Sequence, residues 1–201
     1  MNDCLAWRLA TCLLVVLQPS IASSDGSFTI HAGDIRTNEP IGRRHLNDGA
    51  ACAGENLSPE LRWKGAPSGT RSYAVTAVNR DAPDSPGKYH WIVVNVPSRW
   101  TGLPRGIQPF SAAGGILQSR NDFGKRGWFG PCVPPATTPN RYVFTVYALD
   151  VETLPVAADT EPPVMDAHIR RHVIAITTLT AIHPRWGAAH EAGDPGIPFA
   201  R

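Results

Sequence analysis

Apolar stretches with the character of β-strands recur through the middle of the chain. Residues 72–79 and 90–96 are apolar almost throughout, which is typical of strands that are buried on both faces. Residues 141–149 place aromatic and aliphatic side chains at every second position, and residues 173–182 are rich in β-branched side chains. The pattern therefore predicts four principal strands.

Weaker signals surround these strands. Residues 27–35 predict an edge strand, residues 61–63 a short apolar element, and residues 115–118 a brief pairing. Residues 164–172 follow two prolines and predict a short helix. Because strands outnumber helices, we expect a mostly β fold, either a sandwich or a mixed sheet, with one or two late helices.

The composition agrees with a single domain rich in turns. The 201 residues include 18 Gly and 19 Pro, which are scattered among the apolar runs without an internal repeat. The formal net charge is only +2 at pH 7, and no run of Lys or Arg exceeds two residues. A nucleic-acid partner is therefore not expected.

The N-terminus has the features of an export signal. Arg8 precedes an apolar run at residues 9–17, and small side chains stand at Ser20 and Ala22, where signal peptidase reads them. We expect cleavage after Ala22. The apolar run is shorter than the roughly 20 residues that span a bilayer, so no transmembrane span is expected after cleavage. The alternative is a disordered or core N-terminal segment.

This interpretation divides the chain into three parts. Residues 1–22 form the signal peptide, residues 23–183 the folded domain, and residues 184–201, rich in Gly, Pro and charge, a mobile tail. The mature protein would be periplasmic or secreted.

Cysteine usage fits export. Cys4 and Cys12 fall inside the signal, which leaves Cys52 and Cys132 in the mature protein. An even pair in an oxidising compartment usually bonds; the alternative is two buried thiols that never meet. Neither cysteine belongs to a CxxC motif, so redox or zinc chemistry is disfavoured.

Candidate functional side chains follow the strand ends. Asp81 comes after the strand at residues 72–79, and His90 begins the strand at residues 90–96. If these strands pair antiparallel, both side chains lie at the same end of the sheet. A carboxylate beside an imidazole would orient it and favour its charged form, which suits anion binding or proton transfer.

A third, proline-rich loop adds further candidates. Its prolines fix the backbone, and the N–H groups of Gly130 and Cys132 can then point at an anion as backbone nests do. The Tyr142 hydroxyl can donate to the same ligand. Taken singly, each of these residues is more often a turn or packing residue.

Taken together and in order, these residues resemble the phosphatidylethanolamine-binding protein family, which includes Raf kinase inhibitor proteins, and most of all its exported bacterial branch. The resemblance runs from about residue 28 to residue 182. The matching segments are CAGENLSPELRW at residues 52–63, DAP at 81–83, HW at 90–91, NDFG at 121–124, GPC at 130–132, PP at 134–135 and RY at 141–142.

The resemblance implies a fold and a site. The fold is a large central sheet packed on a smaller one, with helices near the C-terminus. The site is a small surface cavity for phosphate-like or carboxylate groups, lined by Asp81 and His90, with Pro134 at its rim and Tyr142 inside. In the exported branch the two matching cysteines lie near this cavity, so their bridge would stiffen its wall.

Five positions depart from the family pattern. Asn79 and Arg80 stand where the family usually has aspartate and proline, Ala136 and Thr137 where it has lysine and glycine, and Asn140 where it has histidine. The site thereby loses a second acid and a second base. The loss either eases the entry of an anion or suits a less charged molecule.

These observations favour a binding protein for a small anionic ligand or lipid head group, with affinity falling as pH rises through the titration of His90. The first alternative is a small-molecule enzyme, an acid–base isomerase, cyclase or dehydratase, with Asp81, His90 and Tyr142 as catalytic candidates. The second is an inhibitor of a protease or kinase. A protein partner is compatible with all three, and the oligomeric state is left open.

No cofactor or metal is expected. The sequence lacks Walker, dinucleotide-binding and nucleophile-elbow motifs. His168 and His172 lie one helical turn apart, but no third metal ligand accompanies them.

Overall fold

Two antiparallel sheets and one α-helix form the part of the chain that the computed structural model describes, residues 26–83, 85–108, 115–132 and 139–183. The smaller sheet has the order β1–β2–β5, with β1 at Thr29–Ala32, β2 at Leu61–Lys64 and β5 at Gly102–Leu103. A 3₁₀ turn at Arg43–His45 lies between β1 and β2.

The larger sheet has the order β6–β4–β3–β7–β8. Its strands are β3 at Ser72–Asn79, β4 at Lys88–Pro97, β6 at Leu117–Gln118, β7 at Asn140–Leu149 and β8 at Val173–His183. Helix α1 occupies Pro162–Arg170. The predicted mostly β architecture, with a large sheet, a smaller sheet and a C-terminal helix, is confirmed.

Most predicted elements are present with small shifts. Helix α1 begins two residues earlier than predicted, because a proline ring fits the first helical turn, where the missing N–H leaves no bond unmade. Strand β5 is absent from the prediction, because a strand of two residues carries no periodicity. The predicted signal peptide at residues 1–22, the tail at 184–201, Pro134 and Ala136 lie outside the described residues.

Strand β3 is the centre of the larger sheet, and every one of its residues is buried. On one face, Val75 and Ala77 belong to the core between the two sheets. On the other face, Ala74 packs with Met165 and Ile169 of α1. The continuous apolar run in the sequence is therefore explained by cover on both faces.

Strand β4 contains two register shifts relative to β3. Ala77 pairs with Trp91 and Val78 pairs with Tyr89, so His90 is an extra residue opposite a regular pair. A bulge of this kind re-aims a side chain. Further along the strand, a second register shift includes Asn95. The irregular pairing lets Asn95 adopt a left-handed backbone conformation, with a φ of 59°.

The two longest loops are locked together. Cys52 and Cys132 form a disulfide with their Cα atoms 5.6 Å apart. Beside it, Gly130 approaches the backbone of the loop before β2 so closely that a Cβ atom would lie 2.3 Å from the His45 carbonyl oxygen. The Trp128 indole N–H donates to that same oxygen at 3.1 Å. The loop that precedes β7 is thereby fixed against the loop that precedes β2.

Within the described residues, no helix is long and apolar enough to cross a membrane.

Replacing both Cys52 and Cys132 by alanine should lower the free energy of unfolding by about 4 kcal/mol, since the bridge closes a loop of about 80 residues in the unfolded chain. Urea unfolding followed by tryptophan fluorescence measures this loss, and the wild type under reducing conditions should match the double variant. A double variant as stable as the oxidised wild type would refute the expectation.

Candidate functional site

Three strands of the larger sheet bring polar side chains to one end of it. Strands β3 and β4 pair antiparallel, as predicted, and Asn79 at the end of β3 lies directly opposite Tyr142 of β7. His90 lies near the beginning of β4. We call Asn79, His90, Asn140 and Tyr142 the polar cluster; all four are buried.

Amide and phenol groups in the polar cluster bond to one another. The Asn79 side-chain N–H₂ donates to Asn140 Oδ1 at 3.0 Å and to the Tyr142 hydroxyl at 3.4 Å. Asn79 Oδ1 accepts the backbone N–H of Asp81 at 3.0 Å. A carboxylate at position 79 could accept that last bond but could donate neither of the others. Because the Tyr142 oxygen already accepts a hydrogen, its own hydrogen is left for another acceptor.

The imidazole of His90 has a defined protonation state. Its Nδ1 lies 2.6 Å from the Phe129 carbonyl oxygen, which can only accept, so Nδ1 carries the hydrogen. Burial lowers the pKa of His90 to about 4, outweighing the bond to Phe129 that favours the charged form. The neutral ring therefore keeps a lone pair on Nε2 at physiological pH.

Aromatic rings surround this imidazole. The centroid of the Tyr142 ring lies 5.0 Å from that of His90 in an edge-on arrangement, and the Phe123 centroid lies 4.7 Å away. Phe123 in turn stacks on Phe129 at 4.3 Å. These rings exclude water from His90 and are the physical source of its lowered pKa. Burial likewise raises the pKa of Tyr142.

Asp81 lies beside the polar cluster, and Arg141 binds its carboxylate. The Arg141 backbone N–H donates to Oδ2 at 2.7 Å, Nε donates to Oδ2 at 2.9 Å, and Nη2 donates to Oδ1 at 2.6 Å. The side-chain bonds from Arg141 are the main reason that the pKa of Asp81 is lowered. The expectation that Asp81 orients His90 and favours its charged form is wrong, because each side chain has a different partner.

The proline-rich loop differs from expectation at Gly130. Its N–H donates to Asn56 Oδ1 at 2.8 Å, so it is engaged in joining two loops rather than held ready for an anion. Cys132 belongs to the disulfide. Pro134, the predicted rim residue, lies outside the described residues.

Sequence reasoning missed the residues that hold the cluster in place. Arg141 and Phe123 were visible only as parts of matching motifs, and Phe129 only as an aromatic residue beside a glycine. Asn121 is buried; its side-chain N–H₂ donates to the Gly127 carbonyl at 3.1 Å, and its Oδ1 accepts the Phe123 N–H at 3.0 Å. An amide residue in a Gly-rich loop is the sequence signal that could have identified such residues. Its side chain often forms the hydrogen bonds to backbone groups that regular secondary structure would otherwise supply.

Within the described ranges, no group of three or more His, Cys, Asp or Glu side chains gathers as metal ligands do. Of the helical histidine pair, His172 has a partner in Asp150, with Nδ1 2.9 Å from Oδ1.

The family model described as Phosphatidylethanolamine-binding protein matches residues 35–183, most of the chain. The chain belongs to the phosphatidylethanolamine-binding protein (PEBP) family. Membership supports ligand binding as the general role of this PEBP protein.

Relatives and a solved structure agree. The UPF0098 protein YbhB of Escherichia coli is 37% identical over 153 residues, which span 75% of this chain and 96% of YbhB. E. coli YbcL is 34% identical over 169 residues, 82% of this chain and 91% of YbcL. The crystal structure of YbcL, a member of the mammalian PEBP family, matches with a TM-score of 0.73 at 36% identity, covering 79% of this chain and 98% of that one.

The buried imidazole should make the stability of this PEBP protein depend on pH. The pKa of His90 is about 4 in the folded state, below the roughly 6.5 of an unfolded histidine, so folding favours the neutral form. The contribution of the neutral His90 to the free energy of unfolding is complete above about pH 6.5. As pH falls towards 4, about 3 kcal/mol of that free energy is lost progressively, because the unfolded chain takes up the proton more readily than the folded one.

Urea unfolding of wild type and His90→Gln at pH 7 and pH 4 isolates this contribution, because the variant should lose about 3 kcal/mol less over that interval. His31→Gln, at an exposed position of β1, is the control and should follow the wild type. Parallel losses in wild type and His90→Gln would refute the assignment.

Proposed function

We propose that this protein binds a small anionic ligand, a phosphate-type or carboxylate group either free or carried by a lipid head group, at the polar cluster. The proposal rests on one observation, which is that the polar cluster and the adjacent Asp81–Arg141 pair carry no net charge. Asn79 and Asn140 are amides, His90 is neutral, and Arg141 balances the charge of Asp81. An anion approaching the cluster therefore meets no uncompensated carboxylate at these positions.

The hydrogen-bonding pattern specifies how the ligand is held. Tyr142 donates its hydroxyl hydrogen to a ligand oxygen, since that oxygen of Tyr142 already accepts from Asn79. Nε2 of His90 accepts a hydrogen from a protonated oxygen of the ligand, or donates one after His90 itself gains a proton. In either case the anion binds together with a proton, so affinity rises as pH falls. Asp81 acts on the ligand only through Arg141.

Binding is better supported than acid–base catalysis. A general base works best when its pKa lies near the operating pH, and burial lowers the pKa of His90 to about 4. Asp81, the other candidate base, is engaged by Arg141. An isomerase, cyclase or dehydratase would therefore need a substrate that raises the pKa of His90 on binding.

We also propose that the protein is exported. The disulfide between Cys52 and Cys132, typical of oxidising compartments, supports this location. N-terminal sequencing of the protein recovered from the periplasm or medium, with a start near residue 23, would support export; a full-length chain found only in the cytoplasm would contradict it.

Tyr142→Phe should weaken the binding of inorganic phosphate about tenfold or more, because it removes one hydrogen bond to a charged group. Calorimetric titration with inorganic phosphate, acetate and phosphoethanolamine at pH 5 and pH 8 measures this, with tighter binding expected at pH 5. Tyr147→Phe is the matched control, since its hydroxyl contacts Thr76 at 3.5 Å in the interior. Absence of heat for all three probes at both pH values, or equal losses in both variants, would refute the proposal.

Asn79→Asp restores the acid usual in the family and should weaken phosphate binding at least about fivefold at pH 8, because repulsion between like charges at this buried position costs roughly 1 kcal/mol or more. The change leaves the size of the side chain almost unaltered. Asn38→Asp adds the same charge at an exposed position next to β8 and should change affinity little. Tighter binding by Asn79→Asp would contradict the argument from neutrality.

A further inference from the structure

A cleft of about 410 Å³ opens on the smaller sheet, where β2 pairs with β5. Its volume falls in the range of small-molecule sites. The polar and aromatic side chains that line it are Glu60, Arg62, Arg99, Trp100, Thr101 and Arg105. We call this the arginine cleft.

The arginine cleft is separate from the polar cluster. His90 lies near the beginning of β4, whereas Arg99 follows the end of the same strand at Pro97. The stretch of β3 that pairs with β4 between these points runs from Ala77 to Ser72, and at about 3.3 Å per residue it places the two sites roughly 17 Å apart. Ligand binding at one therefore leaves direct contacts at the other unchanged.

A glycine lets β5 approach β2 closely beside the cleft. Gly102 of β5 pairs with Arg62 of β2. A Cβ atom at Gly102 would lie 2.5 Å from the Leu61 carbonyl oxygen and 3.3 Å from Arg62 Cγ. A larger residue would therefore push the two strands apart at the place where both line the cleft.

Positive side chains outnumber negative ones in the lining of the cleft. Three arginines face one glutamate in the cleft, while the whole chain has a net charge of only +2. Two of these arginines are paired with carboxylates. Arg62 Nε donates to Glu60 Oε1 at 2.6 Å, and Arg105 Nη2 lies 2.8 Å from Asp34 Oδ2.

Arg99 differs from its neighbours. Among the residues that the structure describes, none supplies it with a carboxylate partner, and its side chain is exposed. A guanidinium group has several N–H donors in a fixed plane, so one anchoring bond in Arg62 or Arg105 leaves others for a ligand. The cleft thus combines two arginines that carboxylates hold in place with a third that has no described counter-ion.

We infer that the arginine cleft is a second anion site, which binds a phosphate-bearing ligand. Guanidinium groups pair with phosphate oxygens through two parallel hydrogen bonds, a geometry that a lysine cannot provide. The Trp100 indole, partly buried against the core, supplies an apolar wall for whatever carries the phosphate. The phosphate belongs either to a free small molecule or to a lipid head group.

Inorganic pyrophosphate is the probe for a free ligand, titrated into ¹⁵N-labelled full-length protein at pH 7. We expect saturable shifts in the amide signals of residues 99–103 and in the arginine Nε signals of the cleft. Arg99→Gln should weaken this binding about tenfold, through the loss of a charge-assisted pair. Cosedimentation with phosphatidylglycerol vesicles, against phosphatidylcholine vesicles, tests the lipid source.

Arg171→Gln is the matched control, because it removes the same charge at an exposed position at the end of α1. It should change pyrophosphate affinity by less than about twofold, as expected for a distant solvated charge. Tyr142→Phe should leave the cleft signals unchanged, so failure of the polar cluster and failure of the cleft are distinguishable. Vesicle binding that Arg99→Gln abolishes would assign the phosphate to a lipid.

Two results would overturn the inference. The first is the absence of both saturable pyrophosphate shifts and phosphatidylglycerol-dependent sedimentation. The second is an equal effect of Arg99→Gln and Arg171→Gln, which would mean that only the overall charge matters.

Discussion

The hydrogen bond from Asn79 to Asn140 joins β3 to β7 inside a site where the family usually has an acid and a base. Because the two amides that depart from the family pattern bond to each other, they form one neutral pair. Asn79 also binds Tyr142 and the Asp81 backbone, so this one amide joins three other residues at the strand end.

The polar cluster is neutral, and the charged Asp81 beside it is paired with Arg141. Arg141 engages Asp81 through both its backbone and its side chain, while the Phe129 carbonyl fixes the proton of His90 on Nδ1. The bulge in β4 aims His90 towards Tyr142, and Phe123 of the NDFG segment covers it. We propose that such a site favours a ligand arriving with its own proton, which is a property of binding more than of catalysis near neutral pH.

Much of the fold follows from the sequence pattern, because β3, β4, β7 and β8 are long and buried enough to show periodicity. The antiparallel pairing that brings Asp81 and His90 to one end also follows from the short loop between their strands. The sequence pattern could not reveal the partners of those side chains, since a one-residue bulge and a guanidinium 60 positions away leave no local signal. Gly130 likewise has the composition of an anion-binding loop, but its N–H bonds Asn56 from a distant segment.

The protonation of His90 tests the account most directly. NMR of the imidazole nitrogens should show hydrogen on Nδ1 at pH 7, a titration midpoint near 4 in the free protein, and a higher midpoint in saturating inorganic phosphate. A midpoint near that of free histidine, hydrogen on Nε2, or a midpoint that phosphate leaves unchanged would contradict a neutral site that takes up a proton with its ligand.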